Sequence, residues 1–328
     1  MLRALENEII SRTGASVVEV PAHNFIKTSY RTEHGMRLAP VRKYLPKKKL
    51  QIQSDVIWYI LMGPENYELD VFRDWDLNAK HKIVYLFDTL EPQFGLMQKL
   101  FVDSAFNICI TSFNDAVPYL ESLTGKEWHA IEQAVPPHLF KPVPLEERVI
   151  DFSSYGRRMD GFHTYLMEFC KSNGLYYDYS MHNGRNLQSS NEEFYRQYAW
   201  HLNHSIFTIS WPVGLTNPAR AGRLNPITCR WFEAAAAGTV VVGQKPSNSV
   251  FDDWLYPDMV VTINPLADRN TIWTKLDRIY SEREKLFNTA KLYQQENEFR
   301  WTWAERVQRM VSFLNTHQSA EKNVVYNV

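Results

Sequence analysis

Short apolar runs of strand length recur along this chain and alternate with stretches of helical periodicity, in two successive series. The runs lie at 55–62, 82–87, 106–111 and 129–135, and then at 149–153, 176–180, 205–210, 239–243 and 259–263. Strands that alternate with helices build βαβ units around a parallel sheet. A stretch with four prolines in nine residues, 136–144, separates the two series and is typical of a linker.

We therefore predict an α/β fold of two doubly wound, Rossmann-like domains that face each other across a cleft. The N-terminal domain is expected over 1–142 and the C-terminal domain over 143–328, with C-terminal helices that pack back on the first. Ligands of such sheets bind at the carboxyl ends of the strands. Helices are predicted at 94–104, 114–123, 163–173, 192–203, 228–237, 270–296 and 301–317.

The chain opens in an amphipathic helix, because Leu2, Leu5 and Ile9 recur at helical spacing and Gly14 ends the pattern. A short buried strand is predicted at 15–20. A Rossmann-like domain normally begins with a strand. Either the N-terminal domain lacks its first strand, or the protein begins further upstream.

Composition excludes several classes of protein. With 45% apolar and 22% charged residues among 328, the chain is neither disordered nor fibrous. A formal net charge of −1 argues against a dedicated nucleic-acid binder. No run approaches 18 apolar residues and no secretory pattern opens the chain, so we expect a cytoplasmic protein, or one peripheral to the inner face of a membrane. Cys109, Cys170 and Cys229 are expected to be buried free thiols.

A basic segment lies between Glu33 and Asp55, where six lysines and arginines occur without an acidic residue. It includes Lys47, Lys48 and Lys49. A solvated loop explains such a segment. The functional interpretations are a site for an anionic acceptor or for the headgroups of a membrane, with nucleic acid as a third option that no aromatic-interleaved motif supports.

An arginine-rich loop leads into a predicted helix that carries Arg230 and Glu233 three residues apart, followed by four alanines. Arginine side chains and helix-terminal N–H groups bind phosphate, and a carboxylate near the start of a helix can bind ribose hydroxyls. A core helix with an Arg–Glu pair on its surface explains the same residues. The chain contains no GxxxxGK[ST] or GxGxxG motif, which disfavours a P-loop enzyme or a dehydrogenase.

The segment Arg-Trp-Phe-Glu-Ala-Ala-Ala-Ala-Gly-Thr at 230–239, followed by a valine strand, resembles the donor-site signature of the group-1 glycosyltransferases of GT-B type. It is most similar to their spore-maturation-protein-like branch. The resemblance covers about 150–315, and the first domain fits by its order of strands and helices alone.

The resemblance implies that Glu233 binds the ribose hydroxyls of a nucleotide-sugar donor and that Gly238 and Thr239 belong to the donor site. Retaining members of the family carry a second Glu eight residues upstream, where this chain has Asn225. Asn225 can hydrogen-bond a sugar hydroxyl but supplies no negative charge.

A small-residue turn with two arginines, 153–158, follows the first strand of the second domain and suits a diphosphate. GT-B enzymes of this kind usually need no metal, because positive side chains and a helix N-terminus stabilise the leaving nucleoside diphosphate. The donor-binding candidates for this work are Gly156, Arg157, Arg158, Arg220 and Arg223.

Two carboxylates, Asp88 and Glu91, come just after a predicted strand of the first domain. Either one is a candidate general base that accepts the proton of the acceptor hydroxyl. A helix N-cap at Asp88 explains the first of them equally well.

Together these features predict a glycosyltransferase, of hexosyltransferase type, that needs neither a metal nor a cofactor. Its partners are a nucleotide-diphosphate sugar and a glycan, lipid-linked or small-molecule acceptor, without nucleic acid. A nucleotide-sugar epimerase of the same architecture and a non-catalytic nucleotide-sugar-binding partner are the alternatives.

Overall fold

The chain forms two compact units. The computed structural model describes residues 2–17, 48–49, 54–64, 69, 72–73, 75–77, 79–180 and 191–324. The first unit comprises Leu2–Glu132 together with Arg306–Val328, and the second comprises Gln133–Glu305. The last helix, Trp303–Val324, therefore begins in the second unit and continues in the first.

A parallel sheet with flanking helices makes up the first unit. Its described elements are α1 (Leu2–Thr13), β1 (Lys48–Lys49), β2 (Val56–Leu61), β3 (Phe72–Arg73), β4 (His81–Leu86), α2 (Phe94–Phe101), β5 (Ile108–Thr111), α3 (Val117–Thr124) and β6 (Trp128–Ala130). Four parallel strands lie in the order β2-β4-β5-β6, and β1 pairs with β3 separately. Strand β5 is buried at every position, as expected for a parallel strand covered on both faces.

A five-stranded parallel sheet organises the second unit. Its elements and the last helix are β7 (Ile150–Ser154), α4 (Asp160–Asn173), β8 (Tyr177–Tyr179), α5 (Asn191–Asn203), β9 (Ser205–Ser210), α6 (Val213–Thr216), α7 (Pro218–Ala221), α8 (Cys229–Ala236), β10 (Val240–Gly243), α9 (Phe251–Trp254), β11 (Val260–Thr262), α10 (Arg269–Ser281), α11 (Arg283–Glu296) and α12 (Trp303–Val324). The strand order is β11-β10-β9-β7-β8. The order reverses beside β7, the type of position at which doubly wound sheets bind ligands.

The prediction of two parallel α/β sheets is confirmed, and each of the nine predicted runs in the two series overlaps a strand. The helix expected over 270–296 is two helices, because the chain bends at Glu282, which ends α10 and precedes α11 (φ −92°, ψ 8°). The strand predicted at 15–20 does not form in 15–17, where Val17 is 61% exposed and leaves no apolar face to bury. Residues 18–20 lie outside the described residues.

The proline-rich segment is packed into the second unit. Just before it, the Val135 N–H donates to the Trp301 carbonyl at 2.9 Å, and Val135 forms a parallel bridge with Thr302. Phe140 is buried in the apolar cluster that also contains Trp231 of α8. The segment therefore follows a bridge to Thr302 and contributes a core residue, so it is part of the unit.

Two further sequence expectations concern the cysteines and the membrane. Cys109 and Cys170 are free and buried, and burial raises the pKa of each thiol to about 12. Cys229 is half-buried at the start of α8, where it was expected to be buried. Within the described part of the chain, no helix combines the length and apolar character needed to cross a membrane.

Candidate functional site

Basic side chains meet at the carboxyl end of the second sheet, where the turn after β7 adjoins the start of α8. Arg157 Nη2 donates to Thr228 Oγ1 at 3.0 Å. Thr228 is the N-cap residue of α8, with extended backbone (φ −91°, ψ 163°). Arg230, in the first turn of α8, packs its guanidinium against Gly156. Two guanidinium groups thus lie beside a helix N-terminus, which itself carries partial positive charge.

Gly156 makes this approach possible. Its φ is +89°, a region that residues with a Cβ rarely adopt. A Cβ at this position would lie 2.1 Å from Arg230 Nη2 and 2.4 Å from Arg230 Cζ. The missing side chain is therefore the space that the guanidinium of Arg230 occupies.

Side chains anchor the turn to the end of β8. The Tyr155 hydroxyl donates to Asp178 Oδ2 at 2.6 Å, and His201 Nδ1 lies 2.5 Å from the same oxygen. The Gly156 N–H donates to Ser180 Oγ at 3.1 Å. The Gly156 N–H is therefore already satisfied, and the positive charge of this region comes from the arginine side chains and the start of α8.

Arg158 extends away from Arg157, toward the start of α4. Its Nε lies 3.3 Å from Asp160 Oδ1 and its Nη1 3.3 Å from His163 Nε2. His163 Nδ1 in turn lies 2.7 Å from the Tyr177 hydroxyl. Burial and the Arg158 charge lower the pKa of His163, while Asp160 opposes them. The two arginines of the turn therefore belong to two different contact groups.

Glu233 is buried in α8, with only 2% of its surface exposed. The Tyr195 hydroxyl donates to its Oε1 at 2.8 Å, and the Tyr198 hydroxyl donates to its Oε2 at 2.9 Å. Burial raises the pKa of Glu233, while Arg230, the two hydroxyls and Cys229 act in the opposite direction. The alternative of a surface Arg–Glu pair does not describe this carboxylate.

Gly238 and Thr239 lie at the opposite end of α8 from Thr228. Gly238 has φ +60°, its N–H donates to the Ala235 carbonyl, and the Thr239 N–H donates to the Ala234 carbonyl. This pattern is a Schellman motif, which satisfies the last carbonyls of a helix. Thr239 is buried and its Oγ1 accepts from Arg148 at 2.9 Å. The observed contacts of these two residues end the helix.

The remaining donor-site candidates lie between β9 and α8. Asn225 Nδ2 donates to Ser247 Oγ at 2.6 Å, and Asn248 Nδ2 donates to the Asn225 carbonyl at 3.2 Å. Ser247 follows β10, so Asn225 belongs to the carboxyl end of this sheet. Arg220 lies in the short helix α7 and Arg223 in the loop after it, and both are exposed.

The two candidate bases lie at the carboxyl end of β4 in the first unit. Asp88 is half-buried, and its backbone N–H donates to the Met62 carbonyl at 2.7 Å. Glu91 is half-buried and opens the 3-10 helix Glu91–Gln93, with Leu90 as the N-cap residue. Asp88 therefore does not occupy the N-cap position that would explain it structurally.

The basic segment is described in part. Lys48 and Lys49 form β1, paired with Phe72 and Arg73 of β3. Lys47 lies outside the described residues, as do Arg37, Arg42 and Lys43. The acceptor or membrane role of this segment stays a prediction.

Sequence reasoning missed the partners of several site residues. Thr228 and the two tyrosines were not singled out, although Tyr195 and Tyr198 lie three apart in a predicted helix and so share a face. Gly243 was also missed: a Cβ there would lie 1.9 Å from the Ser210 carbonyl oxygen. No local sequence pattern predicts these contacts, because the partners lie 30 or more residues apart in the sequence.

The two parallel sheets define a Rossmann-like α/β protein, and its second unit carries two guanidinium groups at a strand end. No protein-family model and no curated protein matches the sequence. In fold, the chain is similar to sucrose-phosphate synthase from Thermosynechococcus elongatus, at 13% identity and a TM-score of 0.51 over 94% of this chain and 82% of that one. It is also similar to TarM, at 9% identity and a TM-score of 0.50 over 79% of this chain and 54% of that one.

At these identities the likeness concerns the fold. The chain has the GT-B type of architecture, with two Rossmann-like α/β units.

Proposed function

We propose that this protein is a glycosyltransferase that moves a sugar from a nucleotide-diphosphate donor to a hydroxyl acceptor. The observation that carries the proposal is the meeting of the Arg157 and Arg230 guanidinium groups with the N-terminus of α8. Arginine forks and a helix N-terminus together suit a diphosphate. The GT-B fold and the resemblance of 230–239 to the spore-maturation-protein-like branch support the same chemistry.

In this proposal the departing diphosphate gains negative charge as its bond to the sugar breaks. Fixed cations stabilise that charge without reorganising, and the reaction proceeds without a metal. Arg157 and Arg230 carry this role, and Arg158, Arg220 and Arg223 contribute to the positive field around them. Donor binding thus belongs to the second unit.

The remaining roles follow from the same proposal. Glu233 accepts hydrogen bonds from the ribose hydroxyls. Asn225 forms a hydrogen bond to the transferred sugar, which we take to be a hexose. In the first unit, Asp88, or Glu91, accepts the proton of the acceptor hydroxyl. The basic segment at Lys47–Lys49 binds an anionic acceptor or the surface that presents it.

The diphosphate site is tested by calorimetric titration of UDP and GDP. We expect the wild-type protein to bind at least one of them. Arg157→Ala and Arg230→Ala should each weaken that binding by about 10- to 100-fold, because each removes a charge-assisted hydrogen bond to phosphate. Arg278→Ala is the matched control, since Arg278 is 71% exposed on α10 and pairs with Glu282.

Equal losses of affinity in Arg157→Ala, Arg230→Ala and Arg278→Ala would contradict the proposed site, as would a wild-type protein that binds neither nucleotide. Thermal unfolding of each variant separates a lost contact from a lost fold. A variant that unfolds at the wild-type temperature but binds the nucleotide more weakly has lost its contact to phosphate and kept its fold.

A further inference from the structure

The Glu233 carboxylate is covered by two protein hydroxyls that the proposed chemistry does not use. Tyr195 and Tyr198 both come from α5, and each donates to a different oxygen of the carboxylate, at 2.8 and 2.9 Å. Since Glu233 is 2% exposed and each of its oxygens already accepts from a phenol, a ligand hydroxyl must displace protein atoms to reach this carboxylate. The two phenols are therefore the protein groups that occupy the hydrogen-bonding positions of this carboxylate.

The direction of these hydrogen bonds is fixed by electrostatics. Burial and the negative charge of Glu233 raise the pKa of both tyrosines well above the ordinary range, so their hydroxyls remain donors at neutral pH. The groups that face Glu233 are Arg230 and Cys229 on its own helix and the two tyrosines on α5. Two donors on a carboxylate with a cation nearby satisfy the buried charge.

The aromatic rings hold the two hydroxyls in place. The Tyr195 and Tyr198 rings stack with centroids 6.0 Å apart, and Phe140 contacts both edge-on. Tyr198 also meets Tyr155 edge-on at 5.3 Å, and Tyr155 belongs to the turn that carries Arg157. The hydroxyl pair is thus connected by packing to the proposed diphosphate site.

The two phenols present to Glu233 what a ribose presents: two neighbouring hydroxyl donors, one for each carboxylate oxygen. We propose that Tyr195 and Tyr198 occupy the ribose position in the free protein and are displaced by the 2′- and 3′-hydroxyls of the nucleotide. This inference rests on the proposed function, since it assumes that a nucleotide binds at Glu233. It adds that the ribose site is closed by the protein itself until the nucleotide arrives.

The displacement has a consequence for affinity with a definite sign. In the wild-type protein, a hydrogen bond from ribose to Glu233 replaces one that a tyrosine already makes. The exchange therefore adds little to the binding free energy. Removal of one phenol hydroxyl leaves an oxygen of Glu233 buried without a donor in the free protein, which costs free energy. A ribose hydroxyl supplies that donor when the nucleotide binds and so removes the cost. Tyr195→Phe or Tyr198→Phe should therefore bind ribonucleotides more tightly than the wild type, whereas loss of a merely supporting contact would weaken binding.

The test is calorimetric titration of wild type, Tyr195→Phe and Tyr198→Phe with UDP and with 2′,3′-dideoxy-UDP, or with the guanosine pair if GDP binds more tightly. We expect at least one variant to bind the ribonucleotide about tenfold more tightly than the wild type. The dideoxynucleotide, which lacks both hydroxyls, should show no gain. Tyr176→Phe is the matched control, because Tyr176 is 55% exposed and its loss should leave both affinities unchanged.

The outcomes separate this inference from the proposed function. If the wild type binds the ribonucleotide and both variants bind it equally or more weakly, the displacement is wrong while the proposed function stands. A gain of equal size for the dideoxynucleotide also overturns it, because the gain then does not come from the ribose hydroxyls. If neither the wild type nor any variant binds a nucleotide, the proposed function itself fails.

Discussion

Gly156 and Arg230 illustrate how single residues define this site. The positive φ of Gly156 turns the chain after β7, and its missing side chain admits the guanidinium of a residue on another element. Neither property would be enough alone: the turn sets the direction of Arg157, and the open space sets the position of Arg230. The placement of Arg157 and Arg230 near each other therefore depends on Gly156.

Gly156→Ala tests this reasoning. The added Cβ would overlap the Arg230 guanidinium and would occupy a backbone region that costs an L residue about 1–2 kcal/mol. We expect UDP or GDP affinity to fall at least tenfold, since Arg230 must move. Calorimetric titration measures the change, and thermal unfolding reports the stability.

Gly161→Ala supplies the control, because no atom outside its own helix lies within 4 Å of a Cβ built there and its φ is not positive. Replacement of glycine by alanine in a helix raises the free energy of unfolding by about 0.5–1 kcal/mol. It should leave the nucleotide affinity unchanged. If Gly156→Ala binds as tightly as Gly161→Ala, Arg230 is not a nucleotide ligand.

Helix α8 performs a different task at each end. Its N-terminus joins Thr228 and Arg230 to the turn after β7, while its C-terminus is closed by Gly238. Arg148 completes the C-terminal end: it is buried, and it donates to Thr239 Oγ1 at 2.9 Å and to the Ala237 carbonyl at 2.7 Å. A cation beside the last carbonyls also complements the helix dipole.

Arg148→Met should therefore lower stability and leave the nucleotide site alone. Arg148 also donates to the Ser205 and Val143 carbonyls, and burial lowers its pKa to about 9. At about 1 kcal/mol or more for each buried acceptor left without a donor, we expect a loss of ~2–4 kcal/mol in the free energy of unfolding. Urea unfolding measures it, beside the exposed control Arg278→Met.

Nucleotide affinity of Arg148→Met should stay within about twofold of the wild type. An unchanged free energy of unfolding would mean that water replaces the guanidinium. A loss of affinity without a loss of stability would place Arg148 in the donor site, contrary to the role argued for it.

At the scale of elements, the sequence predicted the fold well because strand and helix periodicity are local properties. The run at 205–210 coincides with β9, and 239–243 differs from β10 by one residue. The bend at Glu282 was missed because residues on both sides of it favour a helix. Helices and strands could therefore be predicted from the sequence without knowledge of the tertiary contacts.

The candidate site was predicted less completely. Arg157, Arg230 and Gly156 were identified from the sequence and lie together in the structure. The cover on Glu233 could not be predicted, since Tyr195 contacts it across 38 residues and no periodicity relates them. Residue types signal chemistry, whereas burial of a carboxylate depends on which distant side chains fold over it.

For the whole molecule, the formal net charge is −1, and two guanidinium groups lie at the start of α8 in the second unit. The proposed transferase, an epimerase and a non-catalytic binding partner would all use such a site for a nucleotide sugar. They differ in what becomes of the sugar. Transfer breaks its bond to the diphosphate and delivers it to an acceptor, epimerisation acts on the donor itself, and a binding partner leaves it unchanged.

Release of nucleoside diphosphate is therefore the most direct measurement. The wild-type protein and Arg230→Ala are incubated with a panel of UDP-, GDP-, ADP- and dTDP-sugars and hydroxyl acceptors, and nucleotides and sugars are separated by chromatography. Our account predicts release of nucleoside diphosphate from at least one donor by the wild type, at least tenfold slower in Arg230→Ala. If the wild-type protein binds a nucleotide sugar and releases no diphosphate from any donor, or converts the sugar without an acceptor, the protein is not the glycosyltransferase proposed here.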